Sequence, residues 1–137
     1  MISLSTTGAL SLDDGANANK ISVNAAMATA VTLTSSTGSI TTQAEVSAAA
    51  STLTVDAHQA IVGGGAALLT DLRATSLNLI SGTTTGAADN VLLVRAQRLD
   101  AQAGGDINIQ DLDADLALGH VSAGTDDVAI EAKAGSL

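Results

Sequence analysis

Residues 31–34 read Val31-Thr32-Leu33-Thr34, and the same alternation returns as Leu53-Thr54-Val55-Asp56 and Leu77-Asn78-Leu79-Ile80. An apolar–polar–apolar triplet has the period of two that a strand needs in order to bury one face. Outward from these, Leu10-Ser11-Leu12-Asp13 joins on one side and Leu99-Asp100-Ala101-Gln102 on the other, with starts 21, 22, 24 and 22 residues apart. A second series falls between them at Ile21, Ile40, Ile61, Val91, Ile107 and Val128, in steps of 19, 21, 30, 16 and 21. A period near 20 residues marks a solenoid, whose single repeat cannot bury its apolar face alone.

Apolar triplets also occur at Ile2/Leu4, Ile21/Val23, Val91/Leu93, Ile107/Ile109, Leu116/Leu118 and Val128/Ile130. Turn chemistry separates them: Asp13-Asp14-Gly15, Ser36-Thr37-Gly38, Gly63-Gly64-Gly65, Gly104-Gly105-Asp106 and Gly124-Thr125-Asp126-Asp127. Strands this short pair poorly within their own turn. Stacked on the next turn, each finds a parallel partner at roughly 4.8 Å. The expectation is an all-β parallel β-helix of about five to six rungs of roughly 20 residues, with 1–137 as a single repeat segment. Residues 63–74 break the rhythm and are expected to form an irregular loop or a short helical insertion. The Ala-rich stretches 24–30 and 46–51 resemble helix in composition, but their flanking Thr, Ser and β-branched residues favour strand.

Composition supports a thin coil. The chain has 137 residues, with Ala 27, Thr 16, Ser 13 and Gly 13, and has no Phe, Trp, Tyr, Pro or Cys. A β-sandwich, the main rival fold, usually fills its core with aromatics of about 150–250 Å² each. The absence of cysteine excludes disulfides and thiolate metal sites. Net charge is −9, and 12 of the 14 acids are Asp, the turn-favouring acid. That balance argues against nucleic-acid partners, which require clustered Lys and Arg, and against anionic membrane surfaces. No apolar run reaches the roughly 20 residues of a membrane helix, so no membrane insertion is expected. The start Met1-Ile2-Ser3-Leu4-Ser5 carries neither a basic nor an apolar leader region. With no cap visible at either end, the chain is expected to be an excerpt of a longer array, or else to form filaments through open ends.

The repeats Val31–Ile40, Ala74–Gly82, Leu116–Gly124 and Val128–Ser136 resemble the shaft repeats of filamentous-haemagglutinin-like exoproteins, the large adhesins of two-partner secretion. The resemblance covers most of the chain. It implies a right-handed coil, export to the cell surface or beyond, and a rigid stalk in adhesion or biofilm matrix. Expected partners are then other rungs of the same polypeptide or like subunits end to end, with host-surface or matrix glycans met through other regions. One departure is that the secretion domain of those proteins carries Asn-Pro motifs, and this chain has no proline. The likeness therefore concerns the shaft alone.

Candidate chemistry is sparse. Asp111, Asp113 and Asp115 alternate and, with Asp106, form an acidic group whose oxygens would suit Ca²⁺ on one strand face. A solvated acidic edge that discourages aggregation is the simpler reading. His58 and His120 are isolated, and neither a catalytic nor a zinc role is assigned to them. Arg95 and Arg98 could line a sugar-cleaving cleft, but such sites use paired carboxylates and often aromatic platforms. The two arginines are expected to pair with Asp100 or Asp89 on the surface. No catalytic residue, metal site or cofactor is assigned, and the expected role is that of a non-catalytic scaffold. The alternatives are a self-assembling or Ca²⁺-dependent filament subunit and a β-helix polysaccharide lyase or hydrolase fragment.

Overall fold

The computed structural model describes residues 1–12, 20–22, 30–64, 70–113 and 115–137. Every regular element among them is a strand: β1 (Ile2–Thr6), β2 (Leu10–Leu12), β3 (Lys20–Ser22), β4 (Val31–Ser35), β5 (Ile40–Thr42), β6 (Glu45–Ala57), β7 (Ile61–Val62), β8 (Leu72–Ser81), β9 (Leu92–Arg95), β10 (Arg98–Ala103), β11 (Ile107–Asp111), β12 (Ala117–Ser122) and β13 (Val128–Ala132). Every pairing between these strands is parallel. The chain is a parallel β-solenoid of about four complete turns, from Val31 to Ala117, with a layer of strands beyond at each end.

Three ladders run along the coil. In the first, Ile2, Val31, Leu53, Leu77, Leu99 and Leu118 occupy one register position in successive layers. The second runs Leu10, Ile40, Ile61, Thr85, Ile107 and Val128. The third runs Ile21, Val46, Leu72, Val94, Asp111 and Ala132. Inward residues of these ladders form one continuous core of Leu, Ile, Val and Ala. A bore this narrow is filled by branched aliphatic side chains at near-solid density, so no aromatic is needed.

Stacking corrects several assignments made from spacing. Leu10 does not precede Val31 in its ladder; Ile2 does, and Leu10 opens the second ladder. Ile21 belongs to the third ladder and not the second. Thr85, a polar residue, takes the place expected for Val91. The inward pair of β9 is Leu92 and Val94, the opposite phase to Val91/Leu93, because four consecutive apolar residues leave the alternation undefined. Of the irregular segment expected over 63–74, residues 65–69 lie outside the described residues, while Leu72–Ala74 open β8. The Ala-rich stretch 46–51 is strand, within β6; most of 24–30 lies outside the described residues.

The corner between the first and second ladders explains the wealth of small residues. Its inward positions are Ser35, Ala57, Ser81 and Ala103, in register. The backbone there turns so tightly that successive layers almost touch: a Cβ on Gly104 would collide with the Gly82 carbonyl oxygen beneath it. Glycine is required by that close approach. The hydroxyls turn inward and are satisfied locally. Ser35 Oγ donates to Gly8 O at 2.7 Å, and Ser81 Oγ lies 2.9 Å from Thr85 Oγ1.

Candidate functional site

Two carboxylates are buried inside the coil among the described residues, one on the third ladder and one beside it. Asp71 immediately precedes β8 and is fully enclosed. Its Oδ1 accepts from Gly64 N at 2.6 Å and from Thr42 Oγ1 at 3.1 Å, and its Oδ2 accepts from Leu93 N at 2.8 Å. These donors come from three layers, so one side chain ties adjacent turns where the strand ladder is interrupted. Gly63 makes room for it: a Cβ there would lie 2.7 Å from Asp71 Oδ2. Burial pushes the Asp71 carboxyl above its ordinary value, and the donors from Gly64, Leu93 and Thr42 pull against that shift.

Asp111 is the second. It ends β11 and follows Ile107 and Ile109 on the inward face, between Val94 below and Ala132 above. Oδ1 accepts from Ala96 N at 3.2 Å, while the enclosed Oδ2 has no hydrogen-bond partner among the described residues. Burial raises this carboxyl too, with a further upward push from the Asp113 charge; the backbone N–H groups of Ala96 and Asp113 and the Arg95 charge act against it. Outside the coil, Arg95 donates through Nε to Thr70 Oγ1 at 3.1 Å and pairs with Asp113 at 3.0 Å.

The acidic group expected from sequence does not assemble. Asp111 points inward, and β11 ends there, so Asp113 and Asp115 do not continue its face. Asp113 is taken by Arg95, Asp115 caps the Ser136 N–H at 3.0 Å, and Asp106 accepts from Asp127 N at 3.1 Å. Among the described residues no three His, Cys, Asp or Glu side chains are placed to share a metal ion. The reading of this group as a solvated edge holds for Asp115 and Asp106, which are exposed, and fails for Asp111.

The arginines also separate. Arg98 pairs with Asp100 at 2.9 Å, as expected, whereas Arg95 chooses Asp113. Asp100 accepts the His120 N–H at 2.7 Å, and that bond together with Arg98 holds its carboxyl below the ordinary value. His58 is exposed on the lip of an open groove of about 520 Å³, lined also by Asp56, Gln59, Ile80, Gly82 and Thr83. His58 and His120 therefore lie on different parts of the surface, one in the groove and one on β12.

Sequence reasoning missed Asp71 and the inward position of Asp111. For Asp111 the signal was present, since Ile107-Asn108-Ile109-Gln110-Asp111 carries the alternation straight into the acid. For Asp71 there was none, because its burial depends on donors 7, 22 and 29 residues away in sequence. No protein-family model, no curated protein and no solved structure matches the chain.

Proposed function

We propose that this coil is a structural stalk or scaffold segment of a large secreted or cell-surface bacterial adhesin-like protein, acting mechanically and not as a catalyst. The observation that carries the reading is the return of three parallel ladders in successive layers, with register shifts in the β6–β8 and β10–β12 pairings. Main-chain hydrogen bonds then run along the coil axis and resist bending and stretching together, which suits a spacer. The polar groups agree with it. Asp71 spends its acceptors on backbone and threonine donors of neighbouring turns, and Arg95 and Arg98 are each engaged by an aspartate. Neither arginine is left facing the groove at His58. The likeness of the repeats to adhesin shafts supplies the surface location.

The test of location is labelling of intact producing cells with antibodies raised against the chain. Surface staining without permeabilisation is expected; staining only after permeabilisation contradicts the reading. The test of the non-catalytic role is incubation with acidic polysaccharides while new reducing ends are followed. No release is expected, and turnover that scales with protein concentration would replace the stalk by an enzyme.

A further inference from the structure

We infer that the open groove at His58 is a binding site for an uncharged saccharide, so that the coil takes a ligand on its own flank. This goes beyond the stalk reading, which needs no ligand on the coil and leaves glycan contacts to other regions. The groove is a product of the stacking. His58, Gly82 and Gly104 follow the inward corner in successive layers, and each donates its N–H to the corner residue beneath it, Ser35, Ala57 and Ser81 respectively. Gly82 has no room for a side chain, because a Cβ there would collide with the His58 carbonyl oxygen. The column therefore drops to bare backbone directly above His58, and a hollow of about 520 Å³ opens there, flanked by Asp56, Ile80, Gln59 and Thr83. That volume lies within the roughly 300–1,000 Å³ of small-molecule sites.

The backbone of the groove is spent, but its side chains are not. The amides of His58, Gln59, Gly82 and Thr83 all bond to carbonyls of the layer beneath. The side chains of Asp56, His58, Gln59 and Thr83 form no hydrogen bond or ion pair among the described residues. Elsewhere the coil uses such groups internally: Ser36, at the position under His58, turns its hydroxyl to Thr6 O, and Asp71, Asp100 and Asp113 each hold a partner. The set of free groups decides the class of ligand. An anion needs donors alone, and the groove has the Asp56 carboxylate and neither Lys nor Arg. A cation needs acceptors, whereas Gln59, Thr83 and the His58 imidazole bring donors as well. Sugar hydroxyls give and take hydrogen bonds at once; a carboxylate accepts from two adjacent ones, and the amide, imidazole and hydroxyl answer the rest. Ile80 supplies an apolar wall for the C–H face of a pyranose ring. With no aromatic platform in the chain, the affinity is modest, at a Kd of about 1 mM.

The experiment is a heteronuclear NMR titration of the full chain with cellotetraose, maltotetraose and mannotetraose, each to about 10 mM. At least one is expected to shift the amide signals of His58, Gln59, Gly82 and Thr83 together, in a saturable way. Asp56→Ala and Gln59→Ala, which break no hydrogen bond among the described residues, each weaken that binding about fivefold or more while far-UV circular dichroism stays that of the parent. Arg98→Ala, away from the groove, leaves it unchanged. The inference is overturned if none of the three sugars moves the groove amides, or if the shifts fall elsewhere on the coil. Undiminished binding by both groove variants overturns it as well. So does binding of tetragalacturonate or of a glucosamine tetramer when the uncharged sugars do not bind, since the groove would then select charge.

Discussion

The ladder Val31–Leu53–Leu77–Leu99 and the corner holding Asp71 and Asp111 belong to the same turns of the coil, yet they rely on opposite physics. Along the apolar ladder, each side chain is enclosed by the same position one layer up and one layer down, and burial alone stabilises it. At the polar corner Gly63 and Gly64 follow β7 outside any strand, and the amides of Gly64 and of Leu93 in β9 need acceptors. Asp71 supplies them to Gly64 and Leu93 at the cost of dehydrating a carboxylate. Asp111 is dehydrated in the same way but satisfies one amide with one oxygen. Where a layer is regular, aliphatic stacking suffices. Where the coil bends irregularly, a buried acid substitutes for missing ladder bonds, and it does so completely only at Asp71.

The contrast can be broken most forcefully on the apolar side. Leu77→Ala, at the middle of the first ladder, is expected to lower stability by about 2–5 kcal/mol in urea unfolding, because layers held above and below cannot collapse into the gap. A loss of under about 1 kcal/mol would mean that the ladder is loosely filled. Asp71→Ala comes next, with an expected loss of about 1–3 kcal/mol, since it leaves the Gly64 and Leu93 amides without their acceptor, while the Thr42 hydroxyl keeps Val62 O at 3.3 Å.

Asp111→Asn is expected to act in the other direction, gaining about 1 kcal/mol at pH 7 by removing a buried charge that has one unpartnered oxygen. The pH dependence follows from the raised carboxyl. The folded state holds its proton more tightly than the unfolded chain does, so the contribution of Asp111 to stability falls as pH rises from the ordinary carboxylate value of 3.8 through the folded value. The advantage of Asp111→Asn is therefore full at neutral pH and shrinks as pH falls towards 4 or so. Melting temperatures of the two proteins over that range measure it, and a gap that widens on acidification would reverse the sign assigned to the site. The smallest effect is expected at the surface. Arg98→Ala removes an exposed pair with Asp100 and should cost under about 0.5 kcal/mol in the same urea assay.

The apolar side of this comparison was legible in the sequence and the polar side was not. Triplets such as Val31/Leu33 and Leu53/Val55 announce strand and face at once, and their recurrence announces stacking. What recurrence cannot supply is which triplet lies over which. Leu10 and Ile2 are both plausible neighbours of Val31 by pattern, and the long first turn places Ile2 there. At 91–94 the run Val-Leu-Leu-Val carries no alternation, so its phase is decided by Leu72 and Ile109 in adjacent layers. Asp111 was readable as an inward residue by extending the period from Ile107. The pairing of Asp113 with Arg95 and not with its sequence neighbours depends on how β9 and the end of β11 stack, which no local spacing encodes.

Parallel stacking of successive turns is the central claim, and paired cysteines across β4 and β6 test it most directly. Thr32 stands beside Thr54 and Thr34 beside Asp56, so Thr32→Cys with Thr54→Cys and Thr34→Cys with Asp56→Cys should each oxidise to an intrachain disulfide, being within the Cα separation such bonds allow. Thr32→Cys with Asp56→Cys should not. Efficient cross-linking of 32 with 56 and of 34 with 54, without 32 to 54, would mean that the two strands run in opposite directions, and the stacked coil would be wrong.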